Sequence, residues 1–167
     1  YGETSIFLSN EYKNHTVIAC EKYVNGNINL ISSIRKKNIN NIFIYNGNVN
    51  EFLDENKIDN YFDYVFIFFP DPWPKKKHRK RRLLSKIFLK KIYKYINPGG
   101  KIYIATDSPS YFLDIVMNIY ILRKVYEWYN SKETNLSIKD YFDIETKFYK
   151  KAIICGINPS LFILKKI

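Results

Sequence analysis

Apolar runs rich in β-branched and aromatic residues alternate along this chain with stretches patterned for helix. Residues 16–20 (Thr-Val-Ile-Ala-Cys) predict a buried strand that stops at Glu21. Ile28, Ile31 and Ile34 recur at three-residue spacing and predict a helix over 24–37. A second strand is expected at 41–45, ending near Asn46-Gly47, with a short helix at 49–53. The run at 64–69, Tyr-Val-Phe-Ile-Phe-Phe, is apolar without interruption, the pattern of a parallel strand covered on both faces. Residues 83–96 predict an amphipathic helix, ended by Asn97-Pro98-Gly99-Gly100, and 101–105 a further strand. A longer helix is expected from Ser108 to about Trp128, with Pro109 early in it, where proline is tolerated. Beyond it, 131–143 is polar and reads as loop or insertion, 146–155 as helix and 161–164 as a last strand. No internal repeat and no domain linker interrupts this order.

Strand–helix alternation of this kind implies an α/β fold, an open, mostly parallel sheet with right-handed crossovers and helices on both faces. Such sheets bind ligands at the carboxyl ends of their strands. The architecture also calls for a central strand between those ending at Glu21 and Phe69, and the chain offers no candidate for it. The expectation is therefore a single domain over residues 1–167 that lacks its first strand and glycine-rich turn, both lying upstream of Tyr1.

Composition narrows the class. The 167 residues are 46% hydrophobic, enough for one domain with a real core. No stretch approaches 18 unbroken apolar residues, and the first residues carry no basic n-region, so neither a membrane span nor a signal peptide is expected. Two cysteines, Cys20 and Cys155, are too few for a disulfide framework and read as buried thiols in a reducing compartment. The cytoplasm is the default location, with an organelle as the alternative. Net charge is +11, and seven of the 27 Lys and Arg residues lie within 75–82. That local density attracts a polyanion, whereas by itself a charge run is equally a solvated face.

The chemistry-bearing residues cluster after the third apolar run. Asp71 stands between Pro70 and Pro72, which fix φ and bias their neighbours to extended backbone, so its carboxylate is held rather than floppy. Trp73 could stack on a base or pack on the domain. Lys75 is placed to hold a phosphate or a purine oxygen, and Lys76, Lys77, Arg79, Lys80, Arg81 and Arg82 lead towards a helix N-terminus that adds to anion attraction. At the other end, Gly2 could be the last glycine of a phosphate-side turn, and Glu21 follows it by 19 positions, the spacing at which an acid accepts from ribose hydroxyls. Asn48 could bond an adenine edge or serve as a turn residue. Asp107, after the next strand, could cap the helix that starts near Ser108.

The run Phe69-Pro70-Asp71-Pro72-Trp73-Pro74-Lys75-Lys76-Lys77-His78-Arg79-Lys80-Arg81-Arg82 resembles the signature of the bacterial-type tRNA (guanine-N7)-methyltransferases. Ile104-Ala105-Thr106-Asp107, after Pro98-Gly99-Gly100, and Thr146-Lys147-Phe148 extend the likeness over nearly the whole chain. The resemblance implies a Rossmann-like class I methyltransferase that uses S-adenosyl-L-methionine to methylate N7 of guanosine 46 in the tRNA variable loop. By it, Gly2, Glu21, Asn48 and Asp71 contact the cofactor, and Asp71 also serves catalysis. Lys75, Asp107, Thr146, Lys147, Phe148 and Tyr149 face the substrate, and Lys76, Lys77 and Arg79 to Arg82 contact tRNA phosphates. No metal, no membrane and no obligate protein partner is implied, and the protein is expected as a monomer or homodimer. Three positions depart from the family pattern: only Gly2 remains of the Glu-x-Gly-x-Gly opening, Asn48 replaces an Asp, and Tyr149 replaces a Glu. Two other readings stay open, an exocyclic-amine nucleic-acid methyltransferase and a non-catalytic RNA-binding relative.

Overall fold

The computed structural model describes residues 2–167, which divide into two compact units: residues up to Lys57 with Ile144–Lys147, and Ile58–Asp143 with Phe148–Ile167. The first holds α1 (Glu3–Glu11), β1 (Val17–Cys20), α2 (Val24–Lys37), β2 (Ile42–Tyr45) and α3 (Val49–Glu55). β1 and β2 pair in parallel, from Val17 opposite Ile42 to Cys20 opposite Tyr45. Ile6, Ala19 and Leu30 form the buried centre, with Ile34, Ile39, Ile42 and Ile44 packed around it. α1 escapes a periodicity reading because its apolar residues, Ile6, Phe7 and Leu8, are consecutive in sequence. The buried Ser9 hydroxyl beside them donates to the Ile6 carbonyl (2.8 Å). Gly2 starts α1 at φ 80°, and a Cβ there would lie 2.8 Å from the Leu30 side chain, so glycine is required twice over.

The second unit contains β3 (Phe62–Phe68), α4 (Lys86–Tyr93), β4 (Ile96–Thr106), α5 (Pro109–Ile121), β5 (Tyr126–Trp128), α6 (Lys147–Ile154, beginning at the boundary) and β6 (Ser160–Lys166). Its sheet has the order β3-β4-β6-β5. β3 and β4 run parallel, whereas β6 is antiparallel to both β4 and β5. The strands covered on both faces are β4, buried from Ile102 to Thr106, and β6, buried from Leu161 to Leu164.

Several expectations are corrected here. β3 was expected to be covered on both faces, but it occupies one edge of this sheet among the described residues, and of its side chains only Ile67 is buried. The Asn97-Pro98-Gly99-Gly100 segment does not end a helix; it is a bulge inside β4, where the pairing jumps from Phe62–Ile96 to Tyr64–Lys101. A Cβ at Gly100 would come within 2.9 Å of the carbonyls of Asn97 and Asp63, so the backbones can approach only because there is none. The helix placed over 108–128 stops at Ile121, and Tyr126-Glu127-Trp128 instead forms β5 against β6. Helical periodicity cannot see this, since an edge strand of three residues gains its hydrogen bonds from a partner some 40 residues away in sequence. Within 131–143, Ile138–Asp140 is a 3₁₀ turn with Ile138 fully buried. Cys155 is exposed rather than buried, while partial burial pushes the Cys20 thiol up to about 11. Among the described residues, no helix is long and apolar enough to cross a membrane.

Candidate active site

The chain leaves β3 through Phe69, whose N–H still reaches the Ala105 carbonyl on β4 (2.9 Å). Phe69 (φ 52°) and Trp73 (φ 40°) both adopt left-handed backbone, a conformation that costs a residue bearing a Cβ about 1–2 kcal/mol. Such strain persists only where surrounding contacts over-determine the path. Between the two, Asp71 is exposed, and its carboxylate has no hydrogen-bond or ion-pair partner among the described residues. The indole of Trp73 is half-buried, with the His78 ring edge-on (centroids 6.0 Å apart) and the Arg81 guanidinium 4.9 Å from its ring. Of the two roles open to Trp73, the structure shows packing, and the packing partners belong to the basic strip itself.

That strip is a 3₁₀ helix, Lys76–Arg81. Lys75, Lys76, Lys77, Arg79, Lys80 and Arg81 are exposed. The strip does not run directly into an α-helix N-terminus, because α4 starts only at Lys86, capped by the Ser85 hydroxyl. The expected electrostatic help from a helix dipole is therefore absent at the strip, the effect being confined to the first turn.

Arg82 corrects the expectation that it contacts phosphate. It is 5% exposed. Its Nε donates to the Pro72 carbonyl (2.7 Å), Nη1 to the Ser110 carbonyl (3.0 Å) and to the Asp114 carboxylate, and Nη2 to the Ser110 hydroxyl (2.8 Å). The guanidinium lies 4.7 Å from the Tyr111 ring. A buried arginine with its donors used in this way is not available to a polyanion. Tyr111 continues the seam: burial pushes its phenol up to about 12, so it stays neutral, and its oxygen accepts the Leu84 N–H (2.9 Å). Asn118 closes the seam by donating to the Leu84 carbonyl (3.0 Å).

β4 delivers the second carboxylate. Phe68 and Ala105 are register partners, so Asp71 and Asp107 follow the carboxyl ends of two neighbouring parallel strands. Ser108, not Asp107, caps α5, its hydroxyl accepting from the Tyr111 N–H (3.4 Å). Asp107 is left half-buried with no partner among the described residues. Phe148, at the start of α6, stacks on Phe69 (6.1 Å, 20° between planes) while remaining 50% exposed. Phe148 of the third motif thus meets the turn that carries Asp71. Tyr149 next to it faces the Lys139 ammonium at 5.4 Å.

In the first unit, Glu21 stands at the end of β1 and accepts the Tyr23 N–H on Oε1 (2.7 Å). Asn48 caps α3: its Oδ1 accepts from the N–H groups of Asn50 and Glu51 (2.9 and 3.1 Å), and Glu51 reciprocates at the Asn48 N–H. Its acceptor is therefore used locally, as the turn reading has it, and the amide NH2 is what it offers elsewhere. Asn27, which the sequence reading passed over, links the ends of both strands, donating to the Glu21 carbonyl (2.9 Å) and the Asn46 side chain (3.0 Å). Its own Oδ1 is buried, with no donor among the described residues. Thr146 is buried, and the Lys147 N–H donates to Glu3 (2.9 Å). Arg82, Ser110, Asp114 and Asn27 were all missed as site-shaping residues; the only sequence signal was their polarity on helix or loop faces that otherwise face the core.

The family described as "Putative methyltransferase" matches residues 1–157. A tRNA (guanine-N(7)-)-methyltransferase of Buchnera aphidicola subsp. Schizaphis graminum is 31% identical over 168 residues, 99% of this chain and 69% of the relative. Its counterpart in Buchnera aphidicola subsp. Acyrthosiphon pisum (strain Tuc7) is 36% identical over 173 residues, with the same coverage of both chains. This chain belongs to the tRNA (guanine-N(7)-)-methyltransferase family. The fold agrees: a "putative methyltransferase" from Streptococcus mutans in complex with SAH superposes with a TM-score of 0.59 at 13% identity, covering 99% of this chain and 83% of that one. In this tRNA (guanine-N(7)-)-methyltransferase family member, the carboxylates of Asp71 and Asp107, after the ends of neighbouring parallel strands, have no partner among the described residues.

Proposed function

We propose that the protein transfers a methyl group from S-adenosyl-L-methionine to N7 of guanosine 46 in the variable loop of tRNA. The observation that carries this reading is the pair Asp71 and Asp107 following neighbouring parallel strands, neither with a partner among the described residues, with the half-exposed Phe148 stacked beside the Asp71 turn. A guanine presents two donors on its Watson–Crick edge, and a carboxylate accepts both. Asp107 takes that edge, and the free face of Phe148 packs on the ring. N7 is then on the opposite edge, with an in-plane lone pair and no proton to lose, so no general base is needed. The residues contribute alignment and charge: Asp71 holds a fixed negative charge where guanine becomes cationic.

The cofactor reading rests on the strand ends of the first unit. Asn27 Oδ1 is a buried acceptor that has no donor among the described residues, and adenosine carries hydroxyl and amine donors. Glu21 has one oxygen used by the Tyr23 N–H and, among the described residues, one left for a ribose hydroxyl. Gly26 lies close enough that a Cβ would meet the Glu21 side chain at 3.1 Å, so glycine there leaves the acid its room beside α2. These residues fit the group, with Asn48 donating its amide NH2 to a ring nitrogen. When bound, S-adenosyl-L-methionine supplies a methyl group on a sulfonium. S-adenosylhomocysteine at a hundred times its Kd is expected to stabilise the protein by about 2.7 kcal/mol, a rise in Tm of several degrees. Glu21→Ala should abolish most of that rise at the same concentration; a full rise in the variant refutes the role of Glu21.

tRNA affinity comes from the exposed members of the strip, Lys75 to Lys77 and Arg79 to Arg81. Log affinity is expected to fall linearly with log salt, and Lys76→Gln/Lys77→Gln/Lys80→Gln should flatten that slope by about 2–3, alike for all tRNAs. A salt-insensitive affinity makes the strip a solvated face. The reaction itself is tested by incubating the protein with unmethylated tRNA and S-adenosyl-L-methionine and reading the nucleosides by mass spectrometry. The expected product is 7-methylguanosine. A methyl group on an exocyclic amine, or no product while tRNA still binds, overturns the reading.

A further inference from the structure

The basic strip ends in a residue that no phosphate can reach. Arg82 lies beneath the surface, and each of its hydrogen bonds goes to one of two places: the Pro72 carbonyl, between Asp71 and Trp73, or Ser110 and Asp114 in the first turns of α5. α5 begins two residues after Asp107. Arg82 therefore bridges the two segments that bear Asp71 and Asp107. The bridge is fed from both sides, since Tyr111 of α5 also underlies the guanidinium and receives the Leu84 N–H. The loop so held is the one with left-handed Phe69 and Trp73, a path that relaxes unless something fixes it.

We propose that Arg82 is a positioning residue: it ties the Asp71 loop to α5 and so sets the placement of Asp71 relative to Asp107. In its catalytic consequence this rests on the reading under Proposed function; in its structural content it does not. A planar guanidinium is required, because Nε, Nη1 and Nη2 point in three fixed directions, which the single ammonium of lysine cannot reproduce. Asp114 is the counter-ion that allows the charge to sit there, and Ser110 supplies both a carbonyl and a hydroxyl.

The test is Arg82→Lys, which keeps the charge and breaks the fork. Expected is a fall in kcat of about a hundredfold, the scale of a 1 Å misplacement, with KM for tRNA and its salt slope unchanged within about twofold. In an Asp71→Asn background the same change should cost little more, since Arg82 acts through that side chain. Activity-independent evidence comes from the two tryptophans labelled with 5-fluorotryptophan. The ¹⁹F signal of Trp73 should move in Arg82→Lys while that of Trp128, in β5, stays. Ser110→Ala should move the Trp73 signal the same way by less, and it decides the matter if Arg82→Lys does not fold. A raised KM with a flattened salt slope, an equal loss of kcat in both backgrounds, or an unmoved Trp73 signal overturns the proposal. If the wild-type protein forms no 7-methylguanosine, the functional reading falls, and the fluorine signals still decide whether Arg82 holds the loop.

Discussion

Asp71→Ala is expected to lower the turnover of guanosine methylation by at least about a hundredfold, with tRNA affinity changed by less than about threefold. The magnitude follows from the role. A preorganised charge facing a centre where charge develops is worth about 3–4 kcal/mol, and a phosphate-binding residue would instead appear in KM. The structure leaves Asp71 suited to this: its carboxylate has no partner among the described residues, and it stands next to a carbonyl gripped by Arg82. Asp71→Asn separates shape from charge, because it keeps the size and loses the field. Recovery of most of the activity in the Asn variant would mean that geometry alone matters there. Wild-type turnover in the Ala variant would remove Asp71 from the mechanism altogether.

Phe162→Ala is expected to destabilise the protein by about 3–5 kcal/mol, the usual cost of truncating a buried aromatic, and to lower Tm by roughly 10 °C. Phe162 is fully buried on β6, packed between Phe112 of α5 (ring centroids 4.9 Å apart) and Trp128 of β5 (5.6 Å). It is the register partner of Ile104, two residues before Thr106-Asp107. The loss therefore falls on the strand that delivers Asp107 as well as on global stability. Thermal denaturation followed by circular dichroism measures it; a shift of less than about 2 °C would show that the surrounding rings collapse into the space. Below the lowered Tm, the variant should keep its tRNA salt slope, because the strip lies on a separate loop.

How much of this was legible beforehand depends on the range of the interaction involved. The strand ends that carry Glu21, Asp71 and Asp107 were readable, because a run of apolar β-branched and aromatic residues marks a strand and a polar residue after it marks where the strand stops. The proline-flanked Asp71 and the family likeness were readable for the same reason: each is written in consecutive residues. α1 was not, since its apolar residues are adjacent rather than periodic, and β5 was not, since three residues form a strand only when β6 is there to pair with them.

The sequence by itself determined the chemistry available: which carboxylates, which cations and which aromatic rings the chain possesses, and in what order its strands present them. Only the tertiary structure decided which of those groups remain free to act. Arg81 and Arg82 are neighbours of identical type, yet one lies exposed over an indole and the other is buried in a hydrogen-bonded fork, because Ser110 and Asp114 arrive from 28 and 32 residues away. Asn48 and Asp107 exchange roles in the same manner, the first using its oxygen on a helix end while Ser108 relieves the second of that duty. Availability is set by desolvation and by competing partners, and both depend on contacts between residues far apart along the chain.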